Sequence, residues 1–183
     1  MKKLFITGLL FASIFGFGQN NTQPKTGKNE YKINAFLLVF GAFDVGYERV
    51  LNEESAIGVS LFVPIIDDIQ TKFMLTSYYR YYFGQKPATG FYLEGFGSIN
   101  NIDDEIYVHT PNTDPAFYDY QYKRINVTDF AFGIGLGGKW ISKKGVTFEI
   151  NTGFGRNLFS EYNKYDRDYE FIGRGGISVG YRF

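Results

Sequence analysis

The feature that most limits the possible folds of this chain is an alternation of apolar and polar residues with a period of two. Between residues 146 and 154 the sequence reads VTFEINTGF, in which Val, Phe and Ile alternate with Thr, Glu and Asn. Successive side chains of a β-strand lie on opposite faces of the sheet, so this pattern predicts a strand with one apolar and one polar face. From Tyr31 onward no window shows a convincing helical period, which indicates an all-β fold.

Eight segments of this kind, each roughly ten residues long, are separated by residues that favour turns. Short linkers follow the second, fourth and sixth segments, whereas long polar linkers at 65–71, 101–124 and 156–168 follow the third, fifth and seventh. The first hairpin, near Gly41, is also short and departs from this rule. Short turns at one end and long loops at the other are typical of an eight-stranded, antiparallel, up-and-down outer-membrane barrel. We predict strands near 31–40, 43–51, 55–64, 72–83, 91–100, 125–141, 146–155 and 170–183.

The composition excludes several classes of function. The chain has no cysteine, which excludes a disulfide framework, a thiol nucleophile and a cysteine-based metal site. Its 19 basic side chains balance 19 acidic ones, which argues against a nucleic-acid partner. The 22 glycines, 20 phenylalanines and 15 tyrosines favour many short strands and tight turns.

The first residues have the parts of a bacterial signal peptide. Two lysines precede an apolar run at 4–15, and the small-residue pattern GFG follows at 16–18. We therefore expect cleavage near Gly18 and export to the outer membrane of a Gram-negative bacterium. The expected organisation is a signal peptide at 1–18, a flexible lead-in at 19–29 and the barrel at 30–183.

Alternation alone does not decide which face of the barrel points inward. A soluble, lipocalin-like ligand-binding barrel has its apolar face inside and stays as an alternative, whereas a membrane barrel has that face outside. The polar face here carries about one charge per strand, which is few for a solvated surface. The large aromatic residues of the apolar face lie near strand ends, as in the aromatic girdles of membrane barrels. They are Tyr79, Tyr81, Phe83, Phe91, Trp140, Tyr181 and Phe183 at the short-turn end, and Phe73, Phe130, Phe132, Phe154 and Phe171 at the long-loop end.

Hairpin geometry predicts which charged residues face each other inside the barrel. If Phe83 lies opposite Phe91 across the short linker, then Arg80 lies opposite Glu94 and both point inward. Opposite charges directly across a strand pair attract each other. We therefore expect an ion pair between Arg80 and Glu94.

The next short hairpin predicts a second ion pair. A three-residue loop at 143–145 would place Gly145 in the left-handed conformation that such loops favour. That register sets Lys139 opposite Glu149. Because an unpaired buried charge costs several kcal/mol, we expect a plugged, ion-paired interior rather than an open pore. Three further charged residues have the inward parity, namely Glu48, Arg174 and Arg182.

Residues 133–138, GIGLGG, match the G-x-G-x-x-G pattern of dinucleotide-binding folds. That fingerprint needs a helix directly after the glycines. Here KWISKKGVTFEI follows, which predicts a strand, a turn and another strand. We interpret the glycines as inward positions of the sixth strand and predict no cofactor.

His109 is the single histidine of the chain and lies in the longest linker, within EIYVHTPNTDP. Some eight-stranded barrels are enzymes that act on lipid A and use a histidine near the outer rim. The linker contains no serine, and an exposed histidine is usually just solvated. We therefore predict no catalytic residue and keep a lipid A-modifying enzyme as the alternative. Asp103, Asp104 and Glu105 lack the alternate spacing of a calcium loop, so we predict no metal site.

Three stretches carry a resemblance to a known family: NAFLLVFGAFDVGYERVLNEESAIGVSL, SYYRYYFG and GFYLEGFGS. They resemble a family of small outer-membrane barrels of Gram-negative bacteria, which is catalogued as a domain of unknown function near the OmpA- and OmpW-like eight-stranded barrels. The most specific parts are GYER at 46–49 and RYYF at 80–83. The resemblance implies a barrel and an outer-membrane location, and it brings no activity and no catalytic residues.

The last predicted strand ends in GGISVGYRF, with Val179, Tyr181 and Phe183 on its apolar parity. An alternating strand that ends in an aromatic residue resembles the signal by which the outer-membrane barrel assembly machinery recognises its substrates. We expect this machinery, together with outer-membrane lipid and lipopolysaccharide, as partners. The predicted function is non-enzymatic, with a structural or surface-loop interaction role.

Overall fold

The computed structural model describes residues 27–110, 119–159 and 170–183. In these residues eight β-strands and one short helix occur, and the strands join in sequence order into a closed barrel. Neighbouring strands are antiparallel throughout, so the predicted eight-stranded, up-and-down barrel is confirmed. The elements are β1 Asn29–Asn34, α1 Ala35–Val39, β2 Ala42–Val50, β3 Ser55–Pro64, β4 Thr71–Tyr82, β5 Gly90–Thr110, β6 Asp119–Ile141, β7 Val146–Asn157 and β8 Phe171–Arg182.

The period-two pattern separates the two faces of the barrel wall. On the outer face large apolar side chains are exposed, for example Leu93 at 49% and Ile134 at 62%. On the inner face charged side chains such as Glu48 and Arg80 are completely buried. The ionic groups therefore lie inside the barrel and the large apolar groups outside. In the described part of the chain no helix has the length and apolarity needed to cross a membrane.

The predicted first strand, 31–40, is wrong in its second half. β1 ends at Asn34, and α1 follows in place of a strand. The Asn34 side chain caps this helix, because its Oδ1 accepts a hydrogen bond from the Leu37 N–H at 3.1 Å. The run AFLLVF contains no polar residue, so a period of two could not be tested there. α1 contacts both β2 and β8 and so occupies the gap that the short β1 leaves in the wall.

The prediction of a long loop at 101–124 is also wrong, because β5 and β6 continue through most of it. The two strands remain paired up to Thr110 and Asp119. Their neighbours stop earlier, since β4 pairs with β5 as far as Ile102 and β7 with β6 as far as Ala131. The hairpin therefore extends beyond the rest of the wall. The consecutive acidic residues DDE interrupt the alternation in this stretch, which hid the strand.

The short β6–β7 turn has the predicted conformation. Gly145 has a φ of +90°, which confirms the left-handed residue expected in the loop 143–145. A Cβ at this position would lie 2.6 Å from the Arg182 carbonyl oxygen, so the turn needs glycine for space as well as for its backbone angle.

Inward glycines make room for aromatic rings from neighbouring strands. A Cβ on Gly137 would lie 2.6 Å from Tyr92 Cζ and 2.6 Å from the Ile150 carbonyl oxygen. Both separations are far inside van der Waals contact. The Tyr92 ring is fully buried against this glycine, so the absence of a side chain there permits the packing of the interior.

We expect the substitution Gly137→Ala to destabilise the folded barrel by about 1–3 kcal/mol, the usual cost of overpacking. The Ile150 carbonyl belongs to the wall and cannot withdraw from the added methyl group. Gly95→Ala is the matched control, because a Cβ at Gly95 would meet nothing within 4 Å. Urea unfolding of the detergent-refolded protein measures the difference, and equal midpoints for the two variants would contradict this account.

Candidate functional site in the barrel interior

The inner face of β2 carries a highly connected carboxylate, Glu48, whose side chain is fully buried. It accepts hydrogen bonds from Lys139 Nζ at 2.5 Å, Arg80 Nη1 at 2.7 Å and Lys32 Nζ at 3.1 Å. The hydroxyl of Tyr82 also donates to it at 2.9 Å. Glu48 thereby connects β2 to residues of β1, β4 and β6.

Arg80 on β4 connects two more carboxylates to this centre. Its Nε lies 2.7 Å from Glu94, which is its direct partner in the β4–β5 register. Its Nη1 and Nη2 donate to the two carboxylate oxygens of Glu149 at 2.8 and 2.9 Å. The guanidinium carbon lies 4.4 Å from the centre of the Tyr78 ring and 4.3 Å from that of Tyr92. Ionic and cation–π contacts together hold this side chain in one position.

Lys139 lies opposite Glu149 in the β6–β7 register, the position that the turn geometry indicated. Its ammonium is nevertheless closer to other carboxylates, at 2.5 Å from Glu48 and 3.1 Å from Glu30, against 3.5 Å from Glu149. The interior of an eight-stranded barrel is narrow enough for residues from different parts of the wall to meet. The charges therefore form one network across the lumen rather than separate cross-strand pairs.

Two members of this network escaped the sequence-based prediction, namely Glu30 and Lys32 on the inner face of β1. Lys32 Nζ lies 3.1 Å from Glu48, and Glu30 is completely buried. The alternation in the sequence does indicate their position, because Glu30 and Lys32 lie on one face of a strand and Tyr31, between them, lies on the other. The prediction missed this because its first strand began at Tyr31 and continued through an apolar run that does not alternate.

Arg182 joins the network to the linker that covers the short-turn end of the barrel. Its Nη2 lies 3.1 Å from Glu30. The Arg182 Nη1 donates a hydrogen bond to the Pro87 carbonyl oxygen at 2.9 Å, and its Nη2 donates one to the Ala88 carbonyl oxygen at 2.8 Å. Both belong to the β4–β5 linker, and Ala88 is fully buried. The linker therefore closes this end of the lumen.

Arg174 marks the upper limit of the network, towards the long-loop end. Its Nη1 lies 2.6 Å from Glu94 and its Nη2 lies 3.4 Å from Ser60 Oγ. Above it the lumen widens into a cavity of about 530 Å³, which we call the cup. Each cation of the network contacts at least one glutamate: the cations are Lys32, Arg80, Lys139, Arg174 and Arg182, and the glutamates are Glu30, Glu48, Glu94 and Glu149.

The backbone of His109 lies in the extended β5–β6 hairpin, paired with Tyr120. Its side chain lies outside the described residues, as do the side chains of Asp104 and Glu105. A catalytic role of His109 is therefore untested and stays the alternative that the sequence left open.

Asp103 is held at the rim by two neighbours. Lys72 Nζ lies 2.9 Å from its carboxylate, and Asn126 Nδ2 donates to it at 2.8 Å. The hydrogen bonds from Lys72 and Asn126 hold the pKa of Asp103 below its ordinary value. In the part of the chain that the structure describes, no group of three or more His, Cys, Asp or Glu residues could hold a metal ion.

The three residues expected to form an assembly signal lie on the outer face of β8 or directly after it. Val179, Tyr181 and Phe183 are 41–43% exposed. The Phe183 ring stacks on Tyr31 at a centroid distance of 5.4 Å, and the Phe183 N–H donates to the Asn29 carbonyl at 2.8 Å. Phe183 thus takes part in the seam at which β8 closes the barrel against β1.

Comparison with known proteins supports the fold and no narrower assignment. No protein-family model and no curated protein matches the chain. Its structure is similar to the N-terminal β-barrel domain of OprF from Pseudomonas aeruginosa, with a TM-score of 0.56 and 18% sequence identity. The similarity covers 86% of this chain and 100% of that domain. At this identity the similarity shows a shared barrel fold alone, and no family model supports the expected domain of unknown function.

We expect Glu48→Gln to destabilise the barrel by about 3–5 kcal/mol, because it leaves three buried cations short of a carboxylate. Glu53→Gln is the matched control, since Glu53 is exposed in the β2–β3 turn and an exposed glutamate contributes little. Urea unfolding in detergent at neutral pH compares the two variants with the native protein. A Glu48→Gln midpoint equal to that of Glu53→Gln would show that the network does not stabilise the fold.

Proposed function

We propose that this chain is a transmembrane β-barrel of the outer membrane of a Gram-negative bacterium. The observation that carries the proposal is the reversed polarity of the barrel, with a buried ionic interior and an apolar outer surface. A soluble barrel that encloses an apolar ligand requires the opposite arrangement. Exposed apolar residues occur on the outer face of every strand, for example Tyr31, Val45, Ile57, Leu75, Leu93, Leu136, Ile150 and Val179.

The aromatic residues of the outer surface support the same placement. At the short-turn end the ring centroids of Phe83 and Phe91 are 5.8 Å apart. The ring centroids of Trp140 and Phe148, at the same end, are also 5.8 Å apart. At the opposite end the centroids of Phe130 and Phe132 are 4.8 Å apart. Two aromatic levels match the two interfaces of a membrane, where amphipathic rings lie among the headgroups.

The strand lengths agree with a membrane-spanning barrel. β2 and β3 contain 9 and 10 residues, and β4, β7 and β8 contain 12 each. A tilted strand needs about 9–11 residues to cross the hydrocarbon core of a membrane. The signal peptide and the cleavage site near Gly18 lie outside the described residues and stay part of the proposal.

We further propose a closed, non-enzymatic barrel with a structural or surface-loop interaction role. The ionic network spans the lumen, and the β4–β5 linker covers its short-turn end through Arg182. A continuous water-filled path would have to pass through paired, buried charges. The extended β5–β6 hairpin, at the end that faces outward in such barrels, offers a surface for contact with lipopolysaccharide or another partner.

Cell fractionation tests the location. After expression in a Gram-negative host, we expect the protein in the outer-membrane fraction, where only detergent releases it, because its apolar surface needs lipid. Its recovery from the periplasm without detergent would contradict the membrane assignment and favour the soluble alternative.

Planar-bilayer recording tests the closed lumen independently of location. We expect the purified barrel to produce no long-lived conductance above that of the bare bilayer, since the network fills the passage. Uniform, long-lived current steps would contradict the closed interior and leave the membrane location intact.

The proposed recognition by the assembly machinery is tested at Phe183. The substitution Phe183→Ala keeps the backbone hydrogen bonds to Asn29 and removes the ring, so we expect several-fold less assembled protein in the outer membrane but normal refolding in detergent. Phe91→Ala is the control, because it removes another exposed ring at the same end of the barrel. An unchanged amount for Phe183→Ala, or an equal loss for both variants, would contradict the proposal.

A further inference from the structure

The cup occupies the part of the lumen above the ionic network and differs from it in chemistry. Its volume of about 530 Å³ lies within the usual range of small-molecule sites, about 300–1,000 Å³. Below the cup, beside Lys32, Arg80 and Glu149, lies a second cavity of only about 10 Å³, which is too small for more than about one water molecule. The cup is therefore a dead end. Its walls include five large apolar side chains, Leu37, Phe40, Phe62, Ile69 and Met74.

Secondary structure explains why apolar groups line the lumen here. Phe62 and Met74 are inward positions of β3 and β4, and they face each other directly in the register of these strands. Leu37 and Phe40 come from α1 and the residue after it, which complete the wall above the short β1. In a lumen that holds only water, these apolar side chains stay in contact with water, which is unfavourable. The apolar part of a ligand would cover them and remove their surface from water.

Two charged side chains line the cup, the carboxylate of Asp44 and the guanidinium of Arg174. The Asp44 carboxylate accepts a hydrogen bond from Asn34 Nδ2 at 3.2 Å, and no ion pair joins it to a cation in the described residues. The nearby Arg174 is already bound to Glu94 at 2.6 Å, and Lys32 is bound to Glu48 at 3.1 Å. Both of these cations thus contact a glutamate, whereas no cation of the described residues lies within ion-pair distance of Asp44, so its carboxylate is the charged group of the cup that a ligand can pair with.

We propose that the cup binds a small organic cation with an apolar body. The ammonium group of the ligand contacts the Asp44 carboxylate, where a charge-assisted hydrogen bond is stronger than one between neutral groups. The apolar body lies against Phe62 and Met74 and displaces water from them. Since the lumen ends at the network, the ligand enters and leaves at the long-loop end and does not pass through the barrel.

The test measures binding of matched probes to the purified native protein in a non-ionic detergent by calorimetry. Phenethylamine and tryptamine carry an ammonium on an aromatic body, 2-phenylethanol and tryptophol are their neutral counterparts, and phenylacetate and indole-3-acetate are anionic. We expect the amines to bind roughly tenfold or more tightly than the alcohols, as a charged hydrogen bond implies, and the acids to bind most weakly. Empty detergent micelles correct for partitioning of the probes.

Two variants locate the site. Asp44→Asn removes the charge with little change of shape, so we expect it to reduce amine affinity to that of the neutral alcohols. Asp67→Asn is the control, because Asp67 is exposed in the neighbouring β3–β4 linker, and it should leave affinity unchanged. The gel mobility of the folded barrel verifies that each variant folds.

Four results would overturn the proposal: no detectable amine binding, equal binding of amines and alcohols, tighter binding of the acids, or unchanged amine affinity in Asp44→Asn. The first three are measured on the native protein, so the proposal is falsifiable even if the Asp44 variant does not fold. Loss of the membrane location in fractionation would leave these measurements unaffected.

Discussion

The contacts of Glu48 with three cations are the interaction on which the other features of the barrel depend. A carboxylate that is completely removed from water must be paired, and Glu48 is paired with residues from three other strands. Once the interior is filled by such groups, the apolar half of the period-two pattern must lie on the outer face. That arrangement is costly in water and favourable in lipid. The ionic centre and the proposed membrane location thus both follow from one pattern.

The same centre divides the lumen into parts with different properties. Towards the short turns, Arg182 connects Glu30 to the carbonyl oxygens of the β4–β5 linker, and the barrel is closed. Towards the long loops, Arg174 ends the network and the cup begins, with Asp44 in its wall. The closed lower end and the partly apolar cup agree with the proposed closed barrel that binds a ligand at its long-loop end.

The sequence predicted features set by local chemistry and missed those set by the closed shape. Turn geometry was enough to place Arg80 opposite Glu94 and Gly145 in a left-handed conformation. It could not show that Lys139 approaches Glu48 more closely than Glu149, because that contact depends on how the barrel closes. The helix α1 lies in an apolar run without alternation, so no residue pattern indicated that the strand ends at Asn34, which also caps the helix. Glu30 and Lys32 were not predicted as inward-facing residues, although their alternation with Tyr31 indicates that they share one face of the strand.

Trp140 permits a direct measurement of which face of the wall meets lipid. It is the single tryptophan of the chain, and its side chain is 55% exposed on the outer face near the short-turn end. In vesicles whose lipids carry bromine at defined depths, we expect strong quenching of its fluorescence, greatest with bromine near the headgroups, and weak quenching by aqueous acrylamide. Strong quenching by acrylamide, with none by the brominated lipids, would place the apolar face away from lipid and contradict the reversed polarity of the barrel.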